Sequence, residues 1–290
     1  MFGPLIESLR PKQWSKNLLL FAGLVFSKNL FQVSFLLKAT VGFILFCLLS
    51  GAVYVLNDLL DLEQDKTHPV KSRRPLASGK LSVSLAVGVV VALMGVGLFS
   101  SFLISSEFGW IAVSYIFLML GYAFILKHVV ILDIIVIAIG FVLRAVAGAA
   151  VIGVSISSWL LVCTTFLALF LGFSKRRHEL ILLGEDAKNH RRILSEYSPY
   201  LLDQMVSVVT ASTVMAYALY TTATETVEKF GTRNLIFTLP FVLFGIFRYL
   251  YLIHQKNMGG SPELIIVRDK PMILNILLYL LTAGFIIYWR

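Results

Sequence analysis

Long apolar stretches alternate with short polar segments along the whole chain. Reading for stretches of about 20 residues, the length that crosses bilayer hydrocarbon, places spans at roughly 14–32, 33–56, 83–104, 108–126, 129–152, 157–174, 203–223, 234–254 and 272–289. The pattern therefore predicts an all-α integral-membrane bundle of nine transmembrane helices. The first span is the least regular, because its apolar core runs only from Leu18 to Phe26 before Ser27, Lys28 and Asn29. No polar block is long enough to fold alone, so residues 1–290 are expected to form a single transmembrane domain.

Composition agrees: 58% of residues are hydrophobic, 14% are charged, and the mean hydropathy is +0.85, far from a soluble domain. A net charge of +9 would suggest nucleic acid in a soluble protein. Here the basic residues crowd into alternate inter-span segments, which points to topology and anionic substrates and not to nucleic acid. With a cytoplasmic start, the inner segments hold Arg10, Lys12 and Lys16; Lys66, Lys71, Arg73, Arg74 and Lys80; Lys127; Lys175, Arg176, Arg177, Lys188, Arg191 and Arg192; and Lys256, Arg268 and Lys270. The outer segments and their edges hold only Lys28, Lys38, Lys229, Arg233 and Arg290. The asymmetry predicts a multi-pass protein of the plasma (inner) membrane with its N-terminus in the cytoplasm. Residues 1–16 lack the apolar core and cleavage site of a secretory signal. Cys47 and Cys163 lie within apolar runs and read as packing residues.

Two inner segments are long and polar, 57–82 and 175–202, and each follows the second helix of a four-helix block, as an internal repeat would place them. The second span runs into Asn57-Asp58-Leu59-Leu60-Asp61-Leu62-Glu63-Gln64-Asp65. At about 100° per residue, Asn57, Asp58, Asp61 and Asp65 share one helix face. Such a group at a membrane surface costs desolvation and mutual repulsion unless a cation neutralises it. Mg²⁺ suits it, since it takes oxygen ligands and leaves room for substrate phosphates; the plainer alternative is a solvated acidic helix end. Downstream, Lys71, Arg73 and Arg74 sit between Pro69 and Pro75, where they either bind an anion beside the metal face or serve only as a topogenic loop. His68 reads as a turn residue.

The run N-D-L-L-D-L-E-Q-D resembles the N-D-x-x-D-x-x-x-D motif of the UbiA superfamily of intramembrane prenyltransferases. The resemblance implies a UbiA-like helix bundle with cytoplasmic active-site loops after the second and sixth helices. Aromatic prenyltransferases of that superfamily carry a second Asp-rich motif after the sixth helix, whereas this chain has Ser174-Lys175-Arg176-Arg177-His178-Glu179-Leu180. That segment, with Arg10–Asn17, His68–Pro75, Leu132-Asp133, Gly140–Arg144 and Gly260–Glu263, is similar to the polyprenyl-phosphate phosphoribosyltransferase branch.

The branch implies a Mg²⁺-dependent glycosyltransferase. It would move 5-phosphoribose from phosphoribosyl diphosphate to a polyprenyl, decaprenyl-like, phosphate and release diphosphate, as in cell-wall precursor synthesis. Asn57, Asp58, Asp61 and Asp65 would hold the metal, with the three aspartates as catalytic residues and Glu179 completing the shell. Lys175, Arg176 and Arg177 would supply cations for the lipid phosphate or, alternatively, anchor a helix end. Lys16, Asn17, Tyr122 and Lys127 are further substrate-binding candidates. Asp133 and Arg144 share a face of the fifth span but stand roughly 16 Å apart along it, too far to pair, so Arg144 is either a pocket cation or a tie between helices. Two other functions stay open: a UbiA-type transfer of an isoprenoid to an aromatic or other acceptor, and a non-catalytic lipid transporter.

Overall fold

The computed structural model describes the chain apart from residues 1, 69, 184–191, 257, 259–264, 266, 267 and 290. Pro69, Lys188, Arg191, Arg290 and the Gly260–Glu263 segment singled out above lie outside the described residues. Among the described residues every regular element is helical, and eight helices are long and apolar enough to cross a membrane. The chain divides into two compact units, Met1–Lys127 with Gly140–Ser155, and His128–Ile139 with Ile156–Arg290.

The first unit contains α1 (Phe2–Ser8), a 3-10 helix (Pro11–Leu20), α2 (Phe21–Phe26), α3 (Val33–Leu60), α4 (Leu62–Thr67), α5 (Val83–Ile104), α6 (Ser106–Phe124) and the larger part of α7 (Leu132–Ile152). Serines start two of the spans. Ser82 accepts from the Leu85 amide and Ser105 from the Phe108 amide, which satisfies donors that a helix start leaves open.

The expected first span, 14–32, takes another form. Its polar half winds as the 3-10 helix, and its apolar half becomes α2, which stops before Ser27 and Lys28, the latter at φ 61°. The nine-residue apolar core is too short to carry a span alone, so eight candidate spans stand where nine were expected. The segment packs tightly nonetheless. Leu20 and Leu24 are fully buried with Phe46, Leu49, Phe108 and Tyr115, and the Phe46 ring lies 5.7 Å from Phe108 and 5.3 Å from Tyr115.

Gly148 of α7 makes that packing possible, because a Cβ there would lie 1.9 Å from the Leu20 carbonyl oxygen. Gly148→Ala is expected to cost about 1–3 kcal/mol by overpacking. The check is the Tm of the solubilised protein, and an unchanged Tm would contradict this register.

The second unit holds the start of α7, then α8 (Ser158–Leu183), a 3-10 turn (Arg192–Glu196), α9 (Pro199–Thr222), α10 (Thr224–Phe230), a 3-10 turn (Asn234–Thr238), α11 (Leu239–Lys256) and α12 (Lys270–Tyr288). Ser198 and Asp269 cap α9 and α12, each with a proline in the first turn, and Gly231 at φ 71° ends α10. The core gathers Ile134, Phe170, Leu202, Tyr249 and Ile253. The Tyr217 hydroxyl meets Thr238 Oγ1 at 2.6 Å and Tyr279 Oη at 3.2 Å, tying α9 and α12 to the turn between them.

One boundary matters for chemistry. The sixth span was expected to end at 174, but α8 runs on to Leu183, so Lys175, Arg176, Arg177 and Glu179 project from a helix and not from a loop. Ser174–Leu180 contains no Gly or Pro and is mostly residues of good helix propensity, so nothing local stops the helix.

Candidate active site

In the first unit, α3 ends at Leu60 and α4 begins at Leu62, with Asp61 between them at φ −95°, ψ 10°. The Asp61 amide still donates to the Asn57 carbonyl and the Asp65 amide to the Asp61 carbonyl. The bend therefore keeps the helical spacing of the acidic residues although it breaks the single helix expected there. Asp58 and Asp65 are buried at 3% and 2% exposure, while Asp61 is 30% exposed and Asn57 half-buried.

Buried carboxylates need cations. Arg74 Nη1 lies 2.9 Å from Asp58 Oδ1 and 2.6 Å from Asp65 Oδ2, so a single nitrogen bridges the two. Lys71 Nζ stands 3.7 Å from Asp65 Oδ1, and Lys127 Nζ donates to Asp61 Oδ1 at 2.8 Å. The sequence reading missed the remaining cation as a site residue. Arg10 donates through Nη2 to Asp58, and its guanidinium rests over the Tyr54 ring. Arg10 entered the sequence reading as an inner charge and within the Arg10–Asn17 segment, without a site role; nothing in the local sequence pairs it with a residue 48 positions away.

The loop that carries Lys71 and Arg74 is shaped by His68, whose Nδ1 accepts the Val70 and Lys71 amides, the turn role expected of it. Arg73 is exposed, and Tyr122 is half-buried in the last turn of α6.

Arg144 and Asn17 meet each other. Arg144 Nε donates to Asn17 Oδ1, Nη1 to the Gly140 carbonyl and Nη2 to the Tyr115 hydroxyl, each at 2.8 Å. Asn17 Nδ2 in turn donates to Cys47 Sγ and Ser50 Oγ of α3. Through these bonds Arg144 links α7 to α6 and to the 3-10 helix. Lys16 is half-buried on the same 3-10 helix.

In the second unit, Arg176 is buried on α8 and donates Nη2 to Asp133 Oδ2 at 2.7 Å and Nη1 to Glu179 Oε2 at 2.6 Å. The Tyr197 hydroxyl donates to Asp133 Oδ1 at 2.8 Å and accepts the amide of Ile131, a β-branched residue held at φ 70°. Burial is the main cause that pushes the Tyr197 hydroxyl up to about 12, so it stays a proton donor at physiological pH. Arg177 pairs with Asp203, leaving Lys175 as the exposed member of the basic trio. Tyr197 and Asp203 carry no motif and were not found by sequence reading.

The sequence over residues 18–265 matches the UbiA prenyltransferase family. The chain belongs to that family. Among its UbiA relatives, the decaprenyl-phosphate phosphoribosyltransferase of Corynebacterium glutamicum is 34% identical over 92% of this chain and 81% of its own length. The enzymes of the same name from Mycolicibacterium smegmatis and Mycobacterium tuberculosis are each 30% identical, over 98% and 96% of this chain and 92% of their own lengths. A UbiA homologue of Archaeoglobus fulgidus solved with GPP and Mg²⁺ shares the fold, with a TM-score of 0.74, 20% identity and coverage of 98% and 99% of the two chains.

Solved UbiA homologues of Archaeoglobus fulgidus hold Mg²⁺, and the acidic group of this chain can be compared with what that ion requires. Among the described residues no three or more His, Cys, Asp or Glu side chains form a metal-holding group by themselves. Asp58 and Asp65 nevertheless converge on one cationic atom, Arg74 Nη1. A two-carboxylate set completed by substrate phosphate oxygens is the coordination Mg²⁺ favours over an all-protein cage. The donor set fits the ion.

Proposed function

We propose that this protein transfers 5-phosphoribose from phosphoribosyl diphosphate to a polyprenyl phosphate and releases diphosphate. The observation that carries the reading is the 34% identity to a decaprenyl-phosphate phosphoribosyltransferase over 92% of the chain. On this reading an oxygen of the lipid phosphate forms a bond to the anomeric carbon of ribose, and the bond from that carbon to the diphosphate oxygen breaks. The electron pair leaves with diphosphate. The attacking phosphate is already anionic at neutral pH, so no side chain need remove a proton.

Asp58 and Asp65, with Asn57 and Asp61 as the further oxygen donors on that face, would hold Mg²⁺, which as a Lewis acid would stabilise charge on the departing diphosphate. Arg10, Lys71, Arg74 and Lys127 already stand against these carboxylates and would turn to the diphosphate oxygens, where fixed cations stabilise developing negative charge. Glu179 is paired to Arg176, so a metal role for it requires that pair to open, and Lys175 remains as an exposed cation for the lipid phosphate. The acidic group and N-terminus face the cytoplasm on the charge asymmetry described above.

The test offers the purified protein in nanodiscs phosphoribosyl diphosphate labelled in ribose, or labelled prenyl diphosphate, with polyprenyl phosphate present. Label from the ribose donor is expected in the lipid fraction. Label entering product only from the prenyl donor would favour isoprenoid transfer, and no product from either would favour transport. In the first assay Lys175→Ala is expected to raise the KM for the lipid about two- to fivefold, the scale of one exposed charge contact. The KM for the ribose donor should not change.

A further inference from the structure

The segment that brings Arg10 to Asp58 has unusual geometry. Ten residues, Pro11–Leu20, wind as a 3-10 helix, although such runs seldom exceed three or four residues because their hydrogen bonds are poorer than those of an α-helix. The segment is anchored at both ends. At the far end, Asn17 is 1% exposed and holds Arg144 on one side and Cys47 and Ser50 on the other, while the Leu20 carbonyl lies against Gly148. At the near end, Arg10 takes the left-handed conformation, φ 52° and ψ 63°, which a side-chain-bearing residue adopts at a cost, and its guanidinium meets Asp58 and Tyr54.

The two windings differ in reach. A 3-10 helix rises about 2.0 Å per residue against 1.5 Å for an α-helix, so the six steps from Asn17 to Pro11 span about 3 Å more than an α-helix would. That difference is enough to make or break an ion pair. The opposing anchor is stiff: Arg144 spends its fork on three uncharged acceptors of separate origin, and the Tyr115 and Phe141 rings flank its guanidinium.

We propose that Asn17 and Arg144 are positioning residues that hold Pro11–Leu20 stretched so that Arg10 is delivered to Asp58. The catalytic part of this claim rests on the phosphoribosyl transfer proposed above, whereas the geometric part does not. Both residues then act through Arg10, and neither needs to touch substrate.

The test is a double-variant cycle on the full-length protein in nanodiscs, read as kcat/KM for phosphoribosyl diphosphate. Hydrogen–deuterium exchange of the 12–16 amides is measured alongside. Asn17→Ala is expected to lower kcat/KM about 10–100-fold, the scale of an ångström-level misplacement. In an Arg10→Ala background the same change should cost less than about twofold. Arg144→Lys, which keeps the charge but loses the fork, should behave like Asn17→Ala, and exchange at 12–16 should rise in both.

Fold-changes that multiply in the double variant would overturn the proposal, as would full activity of Arg144→Lys or unchanged exchange at 12–16. If the wild-type protein transfers no phosphoribose, it is the functional reading that fails. The exchange measurement then decides the geometric claim alone.

Discussion

Asp61→Asn is expected to cut turnover about 100- to 1,000-fold, the loss typical when one element of charge stabilisation is removed from an active site. It should leave the protein folded in the membrane. The two halves of this expectation come from different features of the site. Asp61 is 30% exposed and, among the described residues, pairs with Lys127, itself 16% exposed; an asparagine there can still accept the Lys127 hydrogen bond, so losing the carboxylate charge is expected to cost about 1 kcal/mol of stability. Its place one turn from both Asn57 and Asp65 puts it among the proposed metal donors, where an amide is a poorer ligand than a carboxylate. Turnover per folded molecule, with Tm measured on the same sample, checks both halves. Retained turnover would remove Asp61 from the catalytic group.

The second large effect is structural. Arg176→Ala is expected to destabilise the protein by about 3–5 kcal/mol, because it strands Asp133 at 0% exposure with no cation against it among the described residues and a hydrogen bond from the uncharged Tyr197 hydroxyl. The sequence reading gave Arg176 a lipid-phosphate role, which predicts a different result: a raised KM for the lipid and an unchanged Tm. The ion pair to Asp133 and the second bond to Glu179 favour the structural outcome. Replacing both members of the pair, Arg176→Met with Asp133→Leu, should recover part of the lost Tm, since an apolar pair leaves no bare charge. A Tm for Arg176→Ala within 1 °C of wild type would refute the assignment.

Much of this architecture was legible in the sequence. Span positions followed from apolar run length, and the acidic group at the end of α3 was found because its residues recur at helical spacing. What escaped depends on tertiary contact. Arg10 reaches Asp58 from 48 positions away, and Tyr197 reaches Asp133 from 64. Neither separation leaves a periodic trace.

The sixth span's end differs for a local reason: the apolar run stops at 174, but Lys, Arg and Glu are strong helix formers and α8 continues through them to Leu183. The first span was drawn too long although the polar break at Ser27, Lys28 and Asn29 was visible, because hydropathy cannot register the 3-10 winding of Pro11–Leu20. Arg144 shows a subtler limit. Its depth in an apolar helix marked it as exceptional, but the choice between pocket cation and helix tie needed its three acceptors.

The carboxylates at the end of α3 are proposed to recruit phosphoribosyl diphosphate through Mg²⁺. Equilibrium binding of radiolabelled phosphoribosyl diphosphate to the protein in nanodiscs, with Mg²⁺ or with chelator, tests this without relying on turnover. Mg²⁺ is expected to tighten binding about tenfold or more in the wild-type protein, a coupling of ordinary size, and the tightening should vanish in Asp61→Asn. Binding indifferent to Mg²⁺, or tightening that survives the substitution, would contradict the account.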